Sequence, residues 1–447
     1  MKAVEKTVES EQGSARVLLT PPRHRIEGEI LLSGSKSYTN RALILAALAD
    51  GRSELINASS SDDSKVMLSA LSKLGVSFGW RDETLWVQGC GGRFKPYQGD
   101  IDLGPAGTCM RFLTALCAFV EGVDVVLRGS KRMHTRPIAD LVEGLKSLGA
   151  QIEYVGSFGC PPLRILGRSA PSLGRVSLSG AASSQFFSAL LMVSPFFKEG
   201  LEIEVLGEQV SKSYIDMTVA SMRAFGVEAQ NQGYCRYAVP AGARYQSRVQ
   251  VIEPDASGAS YLWGIAAISR GRVKVKNLSF GSAQGDIAFP KFLERMGCRV
   301  SCSAASEPAW IEVEGPARLI ALEADMSSCP DTAQSLAVVA AMAEGESRIH
   351  GLSTLKHKET DRLVALQQEL ARVGITSRVT ESEIYVQGGD PHAASIKTYD
   401  DHRMAMSFAM LGSKLDGLAI ESPAVVTKSF PDFWEQLSRL GIGVRCE

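Results

Sequence analysis

A segment with the pattern of a helix followed by two short strands recurs six times along the chain, and this repeat constrains the fold more than any other feature. In each copy the helix ends in a large apolar residue followed by glycine. The six glycines are Gly75, Gly149, Gly226, Gly297, Gly374 and Gly441. They recur at intervals of roughly 70 residues, which indicates a repeated structural unit. Each stands where a helix would end in the left-handed conformation, which glycine adopts without steric cost.

An aspartate precedes each of these glycines by about three helical turns. The six residues are Asp63, Asp140, Asp216, Asp286, Asp361 and Asp432. An acid is favoured near the start of a helix, because the helix dipole leaves partial positive charge there. The aspartates therefore predict where six amphipathic helices begin.

A second and more apolar helix is predicted ahead of each amphipathic one. The predicted apolar helices cover residues 40–49, 110–119, 184–193, 259–268, 332–342 and 402–410. They are hydrophobic on nearly every side, which indicates burial, whereas the amphipathic helices can face water on one side. One unit is thus expected to run strand–helix–strand–helix–strand–strand in an α/β fold, with helices inside and sheets outside. A chance resemblance among helix–turn–strand segments is the alternative.

The six units divide into two lobes of three units each. Breaks in the pattern fall near residues 33–35 and 253–255. Lobe one is expected to comprise residues 1–33 and 254–447, and lobe two residues 34–253. The chain would then cross twice between the lobes, with an active site in the cleft between them.

The composition is that of a globular protein without a large basic surface. The chain has 447 residues, of which 45% are hydrophobic and 22% charged, and its net charge is −1. Neither nucleic acid nor a membrane surface is expected as a partner, since both need a large basic field. No run reaches the ~18 apolar residues of a membrane helix, and residues 1–15 lack the apolar segment of a signal peptide. We expect a cytoplasmic protein in which residues 1–15 form a flexible arm.

Nine cysteines are scattered along the chain without a CxxC pair. Their odd number and their spacing favour reduced thiols over disulfides. Cys298 and Cys302 have no histidine partners at metal-ligand spacing. The sequence therefore predicts no metal site.

Two clusters of charged residues precede helices in the C-terminal part of the chain. The first is KETDR at residues 358–362, where Lys358 and Arg362 are expected to share one face of a helix's first turn. The second is Asp-Asp-His-Arg at residues 400–403. A solvated ladder of surface ion pairs would explain either cluster alone. The two together predict a site for an anionic substrate, because cations near a helix N-terminus are otherwise unfavourable.

Small residues open the six apolar helices, as in SGSKS at residues 33–37 and GPAGT at residues 104–108. Free backbone N–H groups at such a helix start form an anion site. If three helices of each lobe point at the cleft, the positive ends of their dipoles converge there. The cations expected beside them are Lys36, Arg41, Arg136, Lys358, Arg362, Arg403 and Lys428. Such a cleft would hold a multiply anionic ligand although the whole chain is nearly neutral.

Eight segments together resemble the motifs of the 5-enolpyruvylshikimate-3-phosphate (EPSP) synthase family. They are SGSKSYTNRALILAAL, GPAGTCMRFLTA, RPIADLVEGLKSLGA, SSQFFSALLM, SKSYIDMT, CPDTAQSLAVVAA, KETDR and TYDDHRMAM. The resemblance runs from about residue 17 to the C-terminus. It implies a two-lobed inside-out α/β barrel of six repeats, which agrees with the repeat count above.

The resemblance also implies an activity. The enzymes of this family, 3-phosphoshikimate 1-carboxyvinyltransferases, move the carboxyvinyl group of phosphoenolpyruvate to the 5-hydroxyl of shikimate 3-phosphate and release phosphate. The reaction passes through a tetrahedral intermediate, so one acid and one base must face different parts of it. Cations can stabilise the charge, so no metal and no cofactor are implied. We expect the chain to work as a monomer.

Individual roles follow from the resemblance residue by residue. Asp331 is implied as the base for the 5-hydroxyl, and Glu359 as the residue that handles the methylene proton, assisted by Lys36 and Lys358. The implied ligands of shikimate 3-phosphate are Lys36, Ser37, Arg41, Ser183, Ser184, Gln185, Ser211, Tyr214, Asp331, Thr354 and Lys358. The implied ligands of phosphoenolpyruvate are Lys36, Gly107, Arg136, Gln185, Glu359, Arg362, His402, Arg403 and Lys428. Arginine suits this work because its planar fork binds carboxylate and phosphate with two hydrogen bonds.

The chain departs from the commonest form of these motifs at three positions. Pro105 stands where Asn is frequent, Phe112 where Pro is frequent, and Thr354 where Asn is frequent. Threonine keeps a hydroxyl that can bind the substrate. Pro105 removes a donor, so the phosphoenolpyruvate pocket is expected to differ in shape.

Two alternative functions stay open. UDP-N-acetylglucosamine carboxyvinyltransferase shares the fold but uses a reactive cysteine in the loop after its second buried helix. The corresponding residues 121–135 contain no cysteine. The other alternative is a catalytically inactive protein that binds a phosphorylated metabolite.

Overall fold

The computed structural model describes residues 15–181 and 183–447. Apart from Ala15, the predicted flexible arm lies outside the described residues. The helices found there are α1 (Lys36–Leu48), α2 (Asp62–Lys73), α3 (Gly107–Ala118), α4 (Ala139–Ser147), α5 (Ser184–Met192), α6 (Lys212–Ala224), α7 (Ala256–Ser269), α8 (Phe289–Arg295), α9 (Ala333–Ala340), α10 (Arg362–Arg372), α11 (His402–Ala409) and α12 (Phe433–Arg439). None of these described helices is both long and apolar enough to cross a membrane.

The strands of the same described ranges are β1 (Arg16–Thr20), β2 (Glu27–Ile30), β3 (Asp50–Ile56), β4 (Ser77–Arg81), β5 (Thr84–Cys90), β6 (Tyr97–Asp102), β7 (Val123–Arg128), β8 (Gln151–Tyr154), β9 (Leu163–Leu166), β10 (Leu173–Ser179), β11 (Gly200–Leu206), β12 (Gln230–Gln232), β13 (Arg236–Val239), β14 (Val249–Val251), β15 (Arg272–Lys276), β16 (Arg299–Cys302), β17 (Trp310–Glu314), β18 (Leu319–Ile320), β19 (Glu323–Asp325), β20 (Ala343–Glu344), β21 (Glu346–His350), β22 (Ser377–Val379), β23 (Ile384–Gln387), β24 (Ser395–Ile396), β25 (Leu418–Glu421) and β26 (Gly443–Cys446). They form six four-stranded sheets and a small sheet of β18 and β20.

Each four-stranded sheet belongs to one repeat. In the second unit β6, α3, β7, α4, β8 and β9 follow one another along the chain. β6 pairs with β7 in parallel, whereas β9 pairs antiparallel with both β7 and β8. The other five sheets have the same order of one parallel and two antiparallel pairs. The six predicted glycines end their helices with φ between +82° and +99°. The six predicted copies of the unit are therefore confirmed.

Three strands complete sheets that are built mostly from distant parts of the chain. β14 joins the first-unit sheet beside β3, β2 joins the fourth-unit sheet beside β15, and β1 lies between β25 and β26 in the sixth. The chain thus passes twice between two groups of three sheets. At the crossings the two backbones pair: the N–H of Ser35 donates to the carbonyl of Glu253 at 2.7 Å, and the N–H of Asp255 to that of Ser33 at 3.2 Å.

The buried hydrophobic side chains form two clusters. One lies between residues 42 and 252, and the other combines residues 17–32 with residues 256–442. The predicted boundaries, residues 34–253 for lobe two and the remainder for lobe one, stay a proposal that this division supports. The names lobe one and lobe two are used in this sense below.

The apolar helices lie inside the lobes. Ten of the 13 residues of α1 and 12 of the 14 residues of α7 are buried. In α10, by contrast, the buried residues lie on one face, at positions 362, 363, 365, 366, 369 and 370. This contrast is the one expected for buried apolar helices beneath amphipathic ones that face water.

The helix starts differ from the predicted ones. α1 begins at Lys36 and not at residue 40, because the hydroxyl of Ser35 accepts a hydrogen bond from the N–H of Tyr38 at 3.5 Å. α3 likewise begins at Gly107 and not at residue 110. The small residues that were expected to precede the buried helices therefore reach into their first turns.

The prediction for KETDR is wrong at one point. Lys358 and Glu359 lie before α10 and not in its first turn, because the carboxylate of Asp361 accepts from the N–H of Val364 at 3.3 Å and caps the helix. Such a cap contributes about 1 kcal/mol to helix stability. Lys358 is in an extended conformation. Lys358 and Arg362 therefore do not share a helix face.

Gly34 occupies a crossing position where no side chain fits. A Cβ there would lie 1.9 Å from the carbonyl oxygen of Asn57 and 2.8 Å from Cγ2 of Ile252. We predict that Gly34→Ala lowers the free energy of unfolding in urea by about 1–3 kcal/mol, as overpacking usually does. Gly281→Ala is the control, since its Cβ would lie 3.5 Å from the nearest atom at an exposed position. Equal stability of the two variants would contradict the close approach.

Candidate active site

A cavity of about 550 Å³ lies between the two lobes. The predicted site residues that line it are Lys36, Ser37, Arg41, Gly107, Arg136, Ser183, Ser184, Gln185, Ser211, Tyr214, Asp331, Thr354, Lys358, Glu359, Arg362, His402 and Arg403. Lys428 lies just behind this lining, and its ammonium is 3.0 Å from Oε1 of Glu359. The structure thus brings the predicted residues together, while their individual roles stay predictions.

The cavity carries an excess of positive charge. Its lining, as far as the chain is described, contains eight Lys or Arg residues and four Asp or Glu residues. The first turns of α1, α3, α5, α10 and α11 contribute lining residues, so the positive ends of these helices add to the field. The start of α7 lies one layer further back, where Ser257 accepts a hydrogen bond from Arg403 at 3.4 Å. A nearly neutral chain thereby concentrates a local positive field, which attracts anions.

The guanidinium of Arg362 joins three carboxylates. Its Nε lies 2.7 Å from Oδ2 of Asp401, its Nη1 3.1 Å from Oδ1 of Asp331, and its Nη2 3.0 Å from Oε2 of Glu359. The residue is 1% exposed. Because these hydrogen bonds join opposite charges in a buried place, they fix the orientation of both acids that face the cavity.

Asp331 lies in the 3₁₀ turn Pro330–Thr332 ahead of α9. Besides Arg362, it accepts from Lys358 at 3.2 Å, from Arg403 at 2.9 Å and from the hydroxyl of Tyr214 at 2.9 Å. Burial alone would raise the pKa of this carboxyl, but Arg403, Lys358 and Arg362 outweigh burial and hold the pKa well below its usual range. Asp331 is therefore ionised at neutral pH.

Glu359 is surrounded by cations in the same way. Its Oε1 lies 3.0 Å from the ammonium of Lys428 and 3.8 Å from the guanidinium of Arg136. Burial opposes ionisation, yet Lys428, Arg136 and Arg362 together hold the pKa of Glu359 well below its ordinary value. The cavity therefore contains two ionised carboxylates that share one guanidinium.

Arg41 projects from α1 into lobe two's side of the cavity. It donates to the carbonyls of Ser37 and Tyr214, each at 3.0 Å, and to the hydroxyl of Thr218 at 2.8 Å. The ring of Phe112 lies 5.5 Å from the guanidinium, a cation–π distance. Burial lowers the pKa of Arg41 to about 10, so it stays charged at neutral pH.

Neutral polar groups complete the lobe-two side. Ser183 caps α5 by accepting from the N–H of Gln185, whose side-chain amide donates to Thr108 at 3.4 Å. Ser211 precedes α6 with φ +52°, a conformation that residues other than glycine adopt rarely. Across the cavity, Oγ1 of Thr354 is buried without a partner among the described residues. These hydroxyl and amide groups supply donors without adding charge.

Gly107 leaves the space that Arg136 occupies. A Cβ on Gly107 would lie 2.6 Å from Nη1 of Arg136. Nε of Arg136 is itself buried and has no partner within the described chain. The guanidinium is therefore packed against the start of α3 with hydrogen-bonding capacity left for a ligand.

His402 is a neutral group at the start of α11. It is 1% exposed, and neither ring nitrogen has a hydrogen-bond partner in the part of the chain that the structure describes. Burial, followed by the charges of Lys36 and Arg403, holds the pKa of His402 well below its ordinary value. The imidazole can therefore donate to a ligand or accept from it without carrying charge.

Several charged residues of the site were not predicted from the sequence, among them Asp63, Asp401 and Arg111. Asp63 lies 3.0 Å from the ammonium of Lys36, Asp401 anchors Arg362, and Arg111 lines the cavity beside two carbonyl oxygens, at 2.9 and 3.3 Å. Each had a signal in the sequence: an acid at a helix start, a member of the Asp-Asp-His-Arg cluster, and a member of a family motif. The sequence carried no evidence of which partner each residue would contact.

Direct hydrogen bonds connect the two lobes around the cavity. Nη2 of Arg132 donates to the carbonyl of Lys356 at 2.9 Å, the hydroxyl of Ser213 donates to the carbonyl of Ser328 at 2.7 Å, and the hydroxyl of Thr427 donates to Asp62 at 2.5 Å. The residues that line the cavity, its cations and carboxylates included, therefore come from both lobes. The described residues hold no cluster of three or more His, Cys, Asp or Glu side chains that could bind a metal ion.

Comparison with known proteins gives the family. The sequence model for EPSP synthase (3-phosphoshikimate 1-carboxyvinyltransferase) matches residues 20–437. This chain belongs to the EPSP synthase family. The 3-phosphoshikimate 1-carboxyvinyltransferase of Burkholderia multivorans is 41% identical over 431 residues, which cover 94% of this chain and 98% of the relative. That of Methanoculleus marisnigri is 41% identical over 410 residues, which cover 91% and 95%. The resemblance inferred from the motifs is confirmed.

Solved EPSP synthases have the same fold. A structure of EPSP synthase from Acinetobacter baumannii matches with a TM-score of 0.82 at 24% identity, covering 97% of this chain and 100% of that one. A second structure from the same organism matches with a TM-score of 0.80 at 24% identity, covering 96% and 99%. The expected two-lobed inside-out α/β barrel is thereby confirmed.

The low pKa of His402 leads to a prediction. In ¹⁵N spectra of protein with labelled histidine, the imidazole of His402 should stay neutral at pH 6, because burial and the charges of Lys36, Arg403 and Lys428 disfavour its protonated form. His402→Gln assigns the signal by its loss. A titration midpoint for His402 at or above about 6.5, the ordinary histidine value, would contradict the described environment.

Proposed function

We propose that this chain is a 3-phosphoshikimate 1-carboxyvinyltransferase that transfers the carboxyvinyl group of phosphoenolpyruvate to the 5-hydroxyl of shikimate 3-phosphate and releases phosphate. Its family membership and the names of its relatives support this activity. The observation that carries the proposal is the excess of four positive charges in a cavity that also holds the ionised carboxylates of Asp331 and Glu359. Two substrates that each bear a phosphate and a carboxylate match this charge.

The two substrates would occupy different sides of the cavity. Shikimate 3-phosphate would lie against lobe two, where the hydroxyls of Ser183, Ser184 and Ser211 and the guanidinium of Arg41 can bind its phosphate. Phosphoenolpyruvate would lie among the cations around Glu359. These are Arg136, Arg362, Arg403 and Lys428, with the backbone of Gly107 and the imidazole of His402 beside them. Arginine forks suit this side because both ends of the substrate are anionic.

The proposed reaction has two stages. In the first, the 5-hydroxyl oxygen attacks C2 of phosphoenolpyruvate while C3 gains a proton from Glu359, and Asp331 accepts the hydroxyl proton. In the second, the bond from C2 to the phosphate oxygen breaks, and phosphate leaves with the bonding electrons and takes up the proton that Asp331 had accepted. C3 returns its proton to Glu359, so both carboxylates are restored. Lys36 and Lys358 would stabilise the charge that moves to the phosphate oxygens.

Substrate binding would raise the basicity of both carboxylates. The pKa values of both carboxyls are low because each lies among several cations, of which Arg362 is common to the two. Phosphate and carboxylate groups of the substrates would share those cations and bring further negative charge close by. Both effects raise the pKa of a carboxyl. Glu359 could then hold the proton that C3 needs, and Asp331 would become a stronger base than it is in the protein without substrates.

The two alternative functions have less support. No cysteine is among the described residues that line the cavity, whereas UDP-N-acetylglucosamine carboxyvinyltransferase was expected to need one. An inactive binding protein would need only the cations, yet the carboxylates of Asp331 and Glu359 also face the cavity. Phosphate release with both substrates separates an enzyme from a binding protein.

Two further expectations stay proposals. The chain acts as a monomer, a proposal supported by a cavity whose two sides come from one chain. A cytoplasmic location stays a prediction from the composition, and the absence of disulfides among the nine cysteines, all within the described ranges, is compatible with it.

Asp331→Asn tests the proposed base. The amide keeps the shape of the side chain but cannot accept the hydroxyl proton, so kcat should fall on the order of 10²-fold or more. The dissociation constant of shikimate 3-phosphate, measured by calorimetry, should change far less. Asp325→Asn is the matched control, since this exposed acid of the same lobe accepts from the N–H of Ser327, which an amide oxygen can also bind. Equal losses in turnover and binding would reassign Asp331 to a structural role.

A further inference from the structure

Asp63 contacts two lysines of the cavity, one from each lobe. Its Oδ2 lies 3.0 Å from the ammonium of Lys36 in lobe two, and its Oδ1 lies 3.4 Å from the ammonium of Lys428 in lobe one. Within the described chain, the carboxylate of Asp63 accepts side-chain hydrogen bonds from these two ammonium groups and from no other side chain. The roles proposed above for the cavity residues do not include Asp63.

The local structure explains how a carboxylate can be held at this place. Asp63 is the second residue of α2, whose N-cap is Ser61, and a negative charge is favoured at that end of a helix. The carbonyl of Asp63 accepts a hydrogen bond from the thiol of Cys109 in α3 at 3.2 Å. The residue is 2% exposed. Its carboxylate therefore has a fixed position, and burial makes it dependent on the cations it meets.

The two lysines depend on Asp63 to different degrees. Among the described residues, Asp63 is the one carboxylate within 4 Å of the Lys36 ammonium. Lys428 has two further partners, Oε1 of Glu359 at 3.0 Å and the carbonyl of Pro105 at 3.0 Å. Without a negative charge between them, two like charges at this spacing would repel each other and move apart.

We propose that Asp63 is a positioning residue that holds the ammonium groups of Lys36 and Lys428 side by side across the junction of the lobes, so that both face the phosphate group of phosphoenolpyruvate. This rests on the proposed function, in which both lysines bind that substrate. Asp63 touches no reacting atom in this scheme. It acts through the two lysines and makes their placement depend on the contact between α2 and the turn Pro423–Lys428.

Asp63→Asn removes the charge and presents an amide to one of the two ammonium groups. We expect KM for phosphoenolpyruvate to rise at least tenfold. KM for shikimate 3-phosphate should rise by a smaller factor, because Lys36 is the one implied ligand of that substrate that loses its partner, while Arg41 and the serines are untouched. Asp62→Asn is the matched control: it removes one charge from the same helix start, and its amide oxygen can still accept from Thr427. We expect its KM values to stay within twofold of the parent chain, and equal KM changes in the two variants would overturn the proposal.

A second comparison covers the case in which Asp63→Asn does not fold. The double variant Asp63→Asn/Lys428→Met removes one negative and one positive charge together, and it is compared with Lys428→Met alone. If Asp63 acts through both lysines, the substitution at Asp63 should raise KM for phosphoenolpyruvate by a smaller factor here than in the parent chain, because only its effect through Lys36 is left. An equal or larger factor in the Lys428→Met background would overturn the proposal. If the single variant is unfolded, KM should still rise in this background, because Lys36 has lost its one carboxylate partner among the described residues, and an unchanged KM would overturn the proposal.

The same measurements separate this inference from the proposed function. Absence of phosphate release by the unaltered chain with both substrates would remove the proposed function, and the role of Asp63 with it. Normal release by the unaltered chain together with a KM for phosphoenolpyruvate within twofold in Asp63→Asn would remove the role of Asp63 alone.

Discussion

The buried guanidinium of Arg362 is the interaction on which the cavity depends. Its three carboxylate partners come from the turn before α9, from the segment before α10 and from the cap of α11. A charge buried without partners is very costly, so the cluster is stable only when the fifth and sixth units pack as they do. The same ion pairs of Arg362 therefore contribute to the stability of lobe one and fix the positions of its two cavity carboxylates.

Lobe two supports its own cation in a different way. Arg41 has no carboxylate within 4 Å among the described residues, and its guanidinium rests on hydroxyl and carbonyl oxygens and on the ring of Phe112. A guanidinium that is hydrogen-bonded but not neutralised keeps its attraction for an anion. The lobe-two side of the cleft thus presents the positive charge of Arg41, which no carboxylate of the described residues neutralises. On the lobe-one side, cations neutralise the carboxylates of Asp331 and Glu359, and a bound anion would compete with these carboxylates for the same cations.

The repeat could be predicted from the sequence because its signals are local. A glycine after an apolar helix end and an aspartate at a helix start each report on a few neighbouring residues, and six copies reinforce one another. The exact first residues of the helices were harder to predict, because several neighbouring residues could act as the cap and the structure uses Ser35 and Asp361. The contact between Asp63 and Lys428 joins residues 365 positions apart, so no local pattern could pair them. The family motifs predicted which residues belong to the site, but the contacts between those residues could be identified only from the folded structure.

The interleaving of distant strands has a consequence for biosynthesis. The residues of β1 are among the first described, yet they lie between β25 and β26, near the last. Lobe two can be completed once β14 has left the ribosome, whereas the sixth sheet has to wait for residue 446. Pairing between such remote segments is slow, because a long loop must close before the contacts can form. During translation β1 therefore remains without its final neighbours for longer than any other described element of the barrel.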